Sequence, residues 1–89
     1  MKSQTTRGFR ELLSRLPPSV QESAKQAYAL FRQNPNHPSL HFKKVHAERE
    51  IYSVRITKGY RALGAQEGDA IVWFWIGSHD DYERLLRQL

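Results

Sequence analysis

The sequence predicts an α+β domain in which an N-terminal helical hairpin packs on a mainly antiparallel four-stranded twisted sheet and a short helix ends the chain. Apolar residues recur at helical spacing through the first third of the chain. Short β-branched and aromatic runs, separated by glycine-containing turns, fill the remainder. A chain of 89 residues accommodates one hydrophobic core, so we expect residues 1–89 to form a single domain.

Two helices are expected before the sheet. Their apolar positions recur at helical spacing: Phe9, Leu12, Leu13 and Leu16 in the first helix, then Val20, Ala24, Ala27, Tyr28 and Phe31 in the second. Pro17-Pro18 separates the two helices, and Asn34-Pro35 ends the second. Ser19 is expected to cap the second helix, with Glu22 as its capping-box partner.

Four strands and a helix are then expected in order: Leu40 to His46, Tyr52 to Ile56, Tyr60 to Gly64, Ala70 to Ile76, and a helix from about His79. The fourth run is β-branched and aromatic on both faces, which is typical of a central strand covered on each side. Strict alternation assigns Trp73 and Trp75 to one face and Phe74 and Ile76 to the other. We interpret these rings mainly as core; base stacking by one tryptophan is the alternative.

The second and third strands are predicted to form a hairpin that opposes two arginines. Thr57-Lys58-Gly59 is interpreted as a three-residue loop whose glycine takes the left-handed conformation. In that register Ile56 faces Tyr60, and Arg55 faces Arg61. Opposed like charges cost roughly 0.2–1 kcal/mol unless an anion lies between them, so the hairpin indicates an acidic ligand.

A different turn is the competing interpretation of this hairpin. A two-residue Lys58-Gly59 turn would move Arg61 to the apolar face that carries Val54. A lone guanidinium fits badly there, so the three-residue loop is favoured. Arg55 and Arg61 then share a face with Ser53.

Charge and composition narrow the class of partner. Fourteen Lys and Arg against nine Asp and Glu give a net charge of +5, which favours nucleic acid, an acidic protein or an anionic surface. The absence of cysteine excludes thiolate chemistry and fits a reducing cytoplasm. The longest apolar run, Ala70 to Gly77, is far shorter than the ~20 residues of a membrane span, and no signal peptide is visible. We therefore expect a cytoplasmic protein that does not enter a membrane.

The four histidines do not predict a metal site. His37, His41 and His46 are spaced irregularly and no carboxylate pattern accompanies them, so we expect no metal and no other cofactor. His79 follows Gly77-Ser78, where a strand gives way to a helix, and an imidazole there can give or take a proton near neutral pH. The alternative is that His79 is only the first residue of a helix with a serine cap.

The order of these motifs resembles the RelE/ParE superfamily of bacterial toxins over nearly the whole chain. The resemblance rests on four segments: Gly59-Tyr60-Arg61 after a strand, Ile76-Gly77-Ser78-His79 with Tyr82 beyond it, Asn34-Pro35, and Lys43-Lys44. The N-terminal strand usual in the superfamily has only Met1 to Arg7 to form from, and it is not counted in the predicted sheet.

The resemblance implies the toxin of a type II toxin–antitoxin module, with a cognate antitoxin as partner. RelE-like members cut mRNA in the ribosomal A site, whereas ParE-like members inhibit DNA gyrase without being nucleases. We expect a RelE-like, metal-independent mRNA endoribonuclease whose partners include mRNA and the ribosome. The alternatives are a ParE-like gyrase inhibitor and an inactive relative that retains only antitoxin binding.

The residues and the resemblance together suggest a catalytic set and an RNA-binding set. The catalytic set transfers protons and holds the phosphate: His79, Arg61 and Arg55. The RNA-binding set positions the message: Lys43, Lys44, Arg49 and Tyr82. Ser53 stands where the strongly basic members of the superfamily have a lysine. The alternative for any one of these basic residues is that it is only a solvent-exposed charge on a strand and binds no ligand.

Overall fold

The computed structural model describes residues 1–89 as one sheet with helices on both faces. The strands are Lys2–Thr5 (β1), Lys43–Lys44 (β2), Ile51–Thr57 (β3), Tyr60–Glu67 (β4) and Ala70–Ser78 (β5). The helices are Arg7–Ser14 (α1), Pro18–Gln33 (α2) and His79–Gln88 (α3), and a short 3-10 turn spans Pro38–Leu40. The predicted α+β class is confirmed.

The sheet has five strands in the order β1-β5-β4-β3-β2, so the predicted number of four strands is wrong, although the sheet is mainly antiparallel as expected. β1 runs parallel to β5, and the other pairs are antiparallel. β1 is short and polar and forms through tertiary contacts that no local pattern reveals. The Tyr28 hydroxyl donates to the Ser3 carbonyl over 2.8 Å, and the Trp73 indole N–H donates to the Ser3 hydroxyl over 2.8 Å.

The basic strand expected over Leu40 to His46 is reduced to the two residues of β2. His41 interrupts the extended chain because it takes the left-handed conformation, with φ 47° and ψ 42°. At the other end, the His46 ring accepts the backbone N–H groups of Glu48 and Arg49 and closes a turn. Side-chain hydrogen bonds of this kind compete with strand pairing.

The two helical stripes expected from the sequence are confirmed, but the capping of the second helix differs from the prediction. α2 starts at Pro18, one residue before Ser19, and no side chain caps it. Proline suits a first helical position because it lacks the N–H that would be unpaired there. The stripes pack on one face of the sheet, where Phe31 lies 5.2 Å from Trp73 in edge-to-face contact.

A bulge in β5 separates the two tryptophans. Leu63 pairs with Trp75 and Gly64 pairs with Trp73, which leaves Phe74 as an extra residue in β5. Trp73 therefore packs in the core below α1 and α2, whereas Trp75 packs against the opposite cluster with Tyr82 of α3. The prediction that both rings share one face is wrong, because strict alternation fails at a bulge.

Gly64 gives Trp73 the room that it occupies. A Cβ atom at this position would lie 2.6 Å from Ile71 Cγ2 and 2.7 Å from Trp73 Cε3. Gly64→Ala is therefore expected to lower the free energy of unfolding by about 1–3 kcal/mol through overpacking, as measured by urea denaturation. Gly59→Ala is the matched control, because a Cβ there meets nothing within 4 Å. Equal denaturation midpoints for the two variants would contradict this account of the core.

α3 covers only part of the second sheet face. Its buried contact is a small cluster of Ile51, Leu63 and Tyr82, on which Leu85 and Leu86 pack. α3 packs mainly on β4 and β5 and reaches β3 only at Ile51 and Ser53, which leaves a cavity beside it next to Lys43 and Arg55. None of the three helices is long and apolar enough to cross a membrane.

Candidate functional site

A cavity of about 320 Å³ lies on the open sheet face beside α3. Its lining residues come from four parts of the chain: His41, Lys43, Lys44, Val45, Ser53, Arg55, Arg61, His79, Tyr82, Glu83 and Leu86. The structure thus brings together every residue of the two predicted sets except Arg49. A larger groove of about 590 Å³ lies between α1, α2 and the sheet, but its walls are mainly apolar core side chains.

The two hairpin arginines oppose each other in this cavity. Arg55 of β3 pairs directly with Arg61 of β4, as the sequence predicted. Ser53 lies on the same face and is buried, with 2% of its surface exposed. Since both arginines line one cavity, the arrangement is suited to an anion between them.

The turn that joins the strands differs from the predicted three-residue loop. Thr57 pairs with Tyr60 across a two-residue Lys58-Gly59 turn, and the register shifts at Ile56. Gly59 is not in the left-handed conformation. The bulge at Ile56 supplies the residue that the short turn omits, and it returns the arginines to the same face. Both interpretations of the sequence were incomplete. A two-residue turn combined with a bulge also places the two arginines on the same face.

Arg61 is anchored by the turn. Its Nη1 atom donates to the carbonyls of Thr57 at 2.7 Å, Tyr60 at 2.9 Å and Lys58 at 3.2 Å. Partial burial and, secondarily, the nearby Arg55 charge lower the pKa of Arg61, which is opposed by Tyr82 and Glu83. An arginine stays charged at neutral pH despite such a shift. The Nε and Nη2 groups make no hydrogen bond within the protein, so they can meet a bound anion.

His79 is held by the same turn. Its backbone N–H donates to the Gly59 carbonyl over 2.8 Å, and Ser78 caps the helix by accepting the Asp81 N–H over 3.2 Å. The His79 side chain is 43% exposed, and its Nε2 atom lies 3.4 Å from Glu83 Oε1. Glu83 was not predicted. Its position four residues after His79 on a helix was the signal available in the sequence.

Tyr82 fastens α3 to the sheet at the floor of the cavity. Its hydroxyl donates to the Ser53 hydroxyl over 3.1 Å, and only 4% of its surface is exposed. The ring centroid lies 5.8 Å from that of His79. Contact between Tyr82 and RNA stays a prediction; in this structure the residue positions the start of α3.

Removal of the Tyr82 hydroxyl is expected to destabilise the fold. Tyr82→Phe leaves the buried Ser53 hydroxyl without its partner, at a cost of about 1–2 kcal/mol in the free energy of unfolding. The double variant Tyr82→Phe/Ser53→Ala is expected to lose less than the sum of the single losses, because both changes remove one hydrogen bond. Urea denaturation of the four proteins measures this coupling, and strict additivity would show that the bond contributes nothing.

The two adjacent lysines have different surroundings. Lys43 pairs with Ser53 and so lies on the cavity face, whereas Lys44 pairs with Tyr52. The Lys44 ammonium lies 3.4 Å from Glu50 Oε1. A hydrogen bond from Tyr52 and, next, the Lys44 charge lower the pKa of Glu50, and the same Glu50 bond raises the pKa of Tyr52. Lys43 is therefore the lysine whose charge remains for a ligand.

Arg49 lies outside the cavity, on the loop between β2 and β3. Its backbone N–H donates to His46 Nδ1 over 2.9 Å, and its side chain is exposed. A role for Arg49 in binding RNA stays a prediction. No three His, Cys, Asp or Glu side chains converge to hold a metal ion.

The fold and the cavity define a class of small basic α+β proteins with a cationic cavity beside a C-terminal helix. Residues 18–84 match the family described as the ParE-like toxin domain. This match spans more than half of the chain, which therefore belongs to the ParE-like toxin domain family of the RelE/ParE superfamily. No curated protein sequence matches the chain significantly.

Solved structures of toxins share the fold. The RelB-RelE antitoxin-toxin complex from Methanococcus jannaschii is similar with a TM-score of 0.71 and 19% identity, over 92% of this chain and 96% of that one. The RelBE2 toxin-antitoxin complex from Mycobacterium tuberculosis gives 0.70 and 20%, over 88% and 96%. The isolated E. coli RelE toxin gives 0.66 and 15%, over 99% and 98%.

Proposed function

We propose that this member of a toxin family is a metal-independent endoribonuclease that cleaves mRNA on the ribosome. The observation that carries the proposal is the joint presence of Arg55, Arg61 and His79 in one open cavity. Two guanidinium groups supply charge for a phosphate, and an exposed imidazole supplies a group that can exchange a proton.

Each residue has a defined task in this mechanism. Arg61 and Arg55 bind the scissile phosphate and stabilise the charge that accumulates on its oxygens in the transition state. His79 transfers a proton, either from the attacking 2′-hydroxyl or to the departing 5′-oxygen. Lys43 attracts the RNA backbone from the neighbouring strand, where its charge is screened and acts mainly on affinity. The basic surface continues to Lys44 and Arg49. Tyr82 positions the start of α3, which carries His79.

A direct test is cleavage of a defined mRNA bound to 70S ribosomes, with product ends mapped by primer extension. We expect cuts in the A site, without added metal beyond that which the ribosome needs. His79→Ala protein serves as the matched control for contaminating nuclease. If wild-type protein leaves the message intact on and off the ribosome, the nuclease proposal is wrong.

Inhibition of DNA gyrase is the second candidate, because the matching family is the ParE-like one. A supercoiling assay with purified gyrase discriminates it from the nuclease. Loss of supercoiling without RNA cleavage would favour the gyrase inhibitor. Inactivity in both assays, with antitoxin binding intact, would identify an inactive relative.

A cognate antitoxin completes the proposed module. The neighbours from Methanococcus jannaschii and Mycobacterium tuberculosis are complexes of a toxin with an antitoxin. A chain of net charge +5 with opposed arginines is best silenced by an acidic segment that folds on binding. Such a segment would cover the cavity or displace α3.

Hydrogen exchange with and without the antitoxin locates the contact. We expect new protection in residues 55–61 or 79–89, because these segments carry the arginines and the imidazole. Protection confined to the outer surface of α2 would mean that the antitoxin does not act by covering this cavity.

A further inference from the structure

Two of the four histidines make structural hydrogen bonds, and the other two line the cavity. His37 caps the 3-10 turn by accepting a backbone N–H through Nδ1, and His46 ties the β2–β3 loop to the carbonyl of the last residue. His41 and His79 line the cavity instead. The His41 ring makes no hydrogen bond within the protein, so both of its nitrogens can meet a ligand.

The backbone of His41 is fixed although its side chain is exposed. It is the one non-glycine residue with positive φ, at 47°. Its neighbours are held in the core on either side: Leu40 is 1% exposed, and the Phe42 ring lies 5.0 Å from Tyr52 and 5.1 Å from Phe31. A left-handed residue persists only where its surroundings determine it, and such residues cluster at functional sites.

Strand order places His79 and His41 on opposite sides of the arginine pair. On the β5 side, Gly77 pairs with Arg61, and His79 follows two residues later at the start of α3. The Gly59 carbonyl holds the His79 backbone against the end of β4. One imidazole therefore lies beyond Arg61.

The second imidazole lies beyond Arg55. β2 flanks β3 on the side away from β4, and His41 precedes β2 by two residues, so its ring reaches the cavity from the Arg55 side. From the β5 side of the sheet to the β2 side, the order in this row is therefore imidazole, guanidinium, guanidinium, imidazole. All four side chains line the same cavity.

This order fits the geometry of RNA transphosphorylation. The 2′-oxygen attacks phosphorus while the 5′-oxygen leaves, and the two oxygens lie on opposite sides of the phosphorus in an in-line displacement. One proton must leave the 2′-hydroxyl and another must reach the 5′-oxygen. A phosphate held between the arginines would therefore present these two oxygens toward opposite ends of the row.

We propose that His41 is a catalytic residue that shares the two proton transfers with His79. One imidazole takes the 2′-hydroxyl proton as the 2′-oxygen to phosphorus bond forms. The other, protonated, gives its proton as the phosphorus to 5′-oxygen bond breaks. The products are a 2′,3′-cyclic phosphate and a 5′-hydroxyl, with no metal, oxidant or added co-reactant. The inference rests on the endoribonuclease activity proposed above.

The first test compares His41→Asn with His37→Asn in single-turnover cleavage of ribosome-bound mRNA. Asparagine tolerates the left-handed conformation at position 41 and can still cap the turn at position 37, so both variants should fold. We expect His41→Asn to lose about 10²–10⁴-fold in rate with little change in RNA affinity. His37→Asn should cleave like the wild type. Loss of affinity alone, or no loss, would overturn the catalytic assignment of His41.

The second test assigns the roles with a substrate whose leaving 5′-oxygen is replaced by sulfur. A thiolate leaves without protonation, so this substrate should restore the rate of the variant that lacks the acid but not of the variant that lacks the base. We expect rescue of only one of His41→Asn and His79→Asn. Rescue of both or of neither would refute the division of roles. A wild-type protein that cleaves neither substrate would instead refute the nuclease function itself.

Discussion

Replacement of His79 by alanine is expected to abolish growth inhibition and to lower mRNA cleavage by about 10²–10⁴-fold while the fold remains intact. The imidazole reaches the cavity from the first turn of α3, where it can exchange a proton with the substrate. Alanine keeps the backbone bond to Gly59 and the serine cap. The substitution removes the exposed contact with Glu83, which stabilises the fold by at most about 1 kcal/mol, and the contact of the imidazole with the Tyr82 ring.

Single-turnover cleavage and thermal unfolding of the same preparations test this expectation. Asp80→Asn is the matched control, because Asp80 is exposed in the same helical turn and lies outside the cavity. A stably folded His79→Ala protein that still arrests growth would remove His79 from the catalytic set.

Arg61→Ala is expected to reduce cleavage by about 10²–10³-fold, far more than Lys43→Ala. The guanidinium is anchored by the hairpin carbonyls, with Nε and Nη2 left for the phosphate, so it acts where transition-state charge develops. Lys43 is an exposed lysine on the two-residue edge strand. Its removal should mainly weaken RNA affinity. It should also lower the slope of log affinity against log salt concentration by about one.

Cleavage rates across a range of salt concentrations separate the two effects. Because Arg61→Ala also leaves turn carbonyls without their donor, Arg61→Lys is a second variant that keeps the charge but not the planar fork. We expect it to remain folded and impaired. Equal losses for the Arg61 and Lys43 variants, with equal changes in salt slope, would reduce Arg61 to one more electrostatic contact.

The parts of the site that follow from local pattern were predictable from the sequence. The poor fit of a guanidinium on the apolar face predicted that Arg55 and Arg61 share a face, although the turn itself was wrong, and the Gly77-Ser78 step indicated where α3 and His79 begin. The helical stripes followed from their spacing. Each of these features depends on residues close together in the chain.

The features that were not predictable depend on contacts between distant residues. β1 forms because β5 offers an unpaired edge and Tyr28 and Trp73 bind Ser3, which no pattern in residues 1–7 reveals. The bulges at Ile56 and Phe74 change register by a single residue, and alternation cannot detect them. His41 reaches the cavity because its own backbone is left-handed, between the core side chains of Leu40 and Phe42. Histidine can adopt this conformation, but its presence in a sequence does not predict it.

The β3–β4 turn supports the site entirely through its main chain. The carbonyls of Thr57, Lys58 and Tyr60 hold Arg61, and that of Gly59 holds His79. Every amino acid carries such a carbonyl, so Lys58 is free to vary while the length of the turn is not; Thr57 is more restricted, because its hydroxyl accepts the Gly59 N–H over 3.2 Å. One residue gained or lost would rotate the carbonyls away from both groups, and the spacing between cation and imidazole would change with it. Substitution of Lys58 is therefore compatible with an intact site, whereas an insertion in the turn is not.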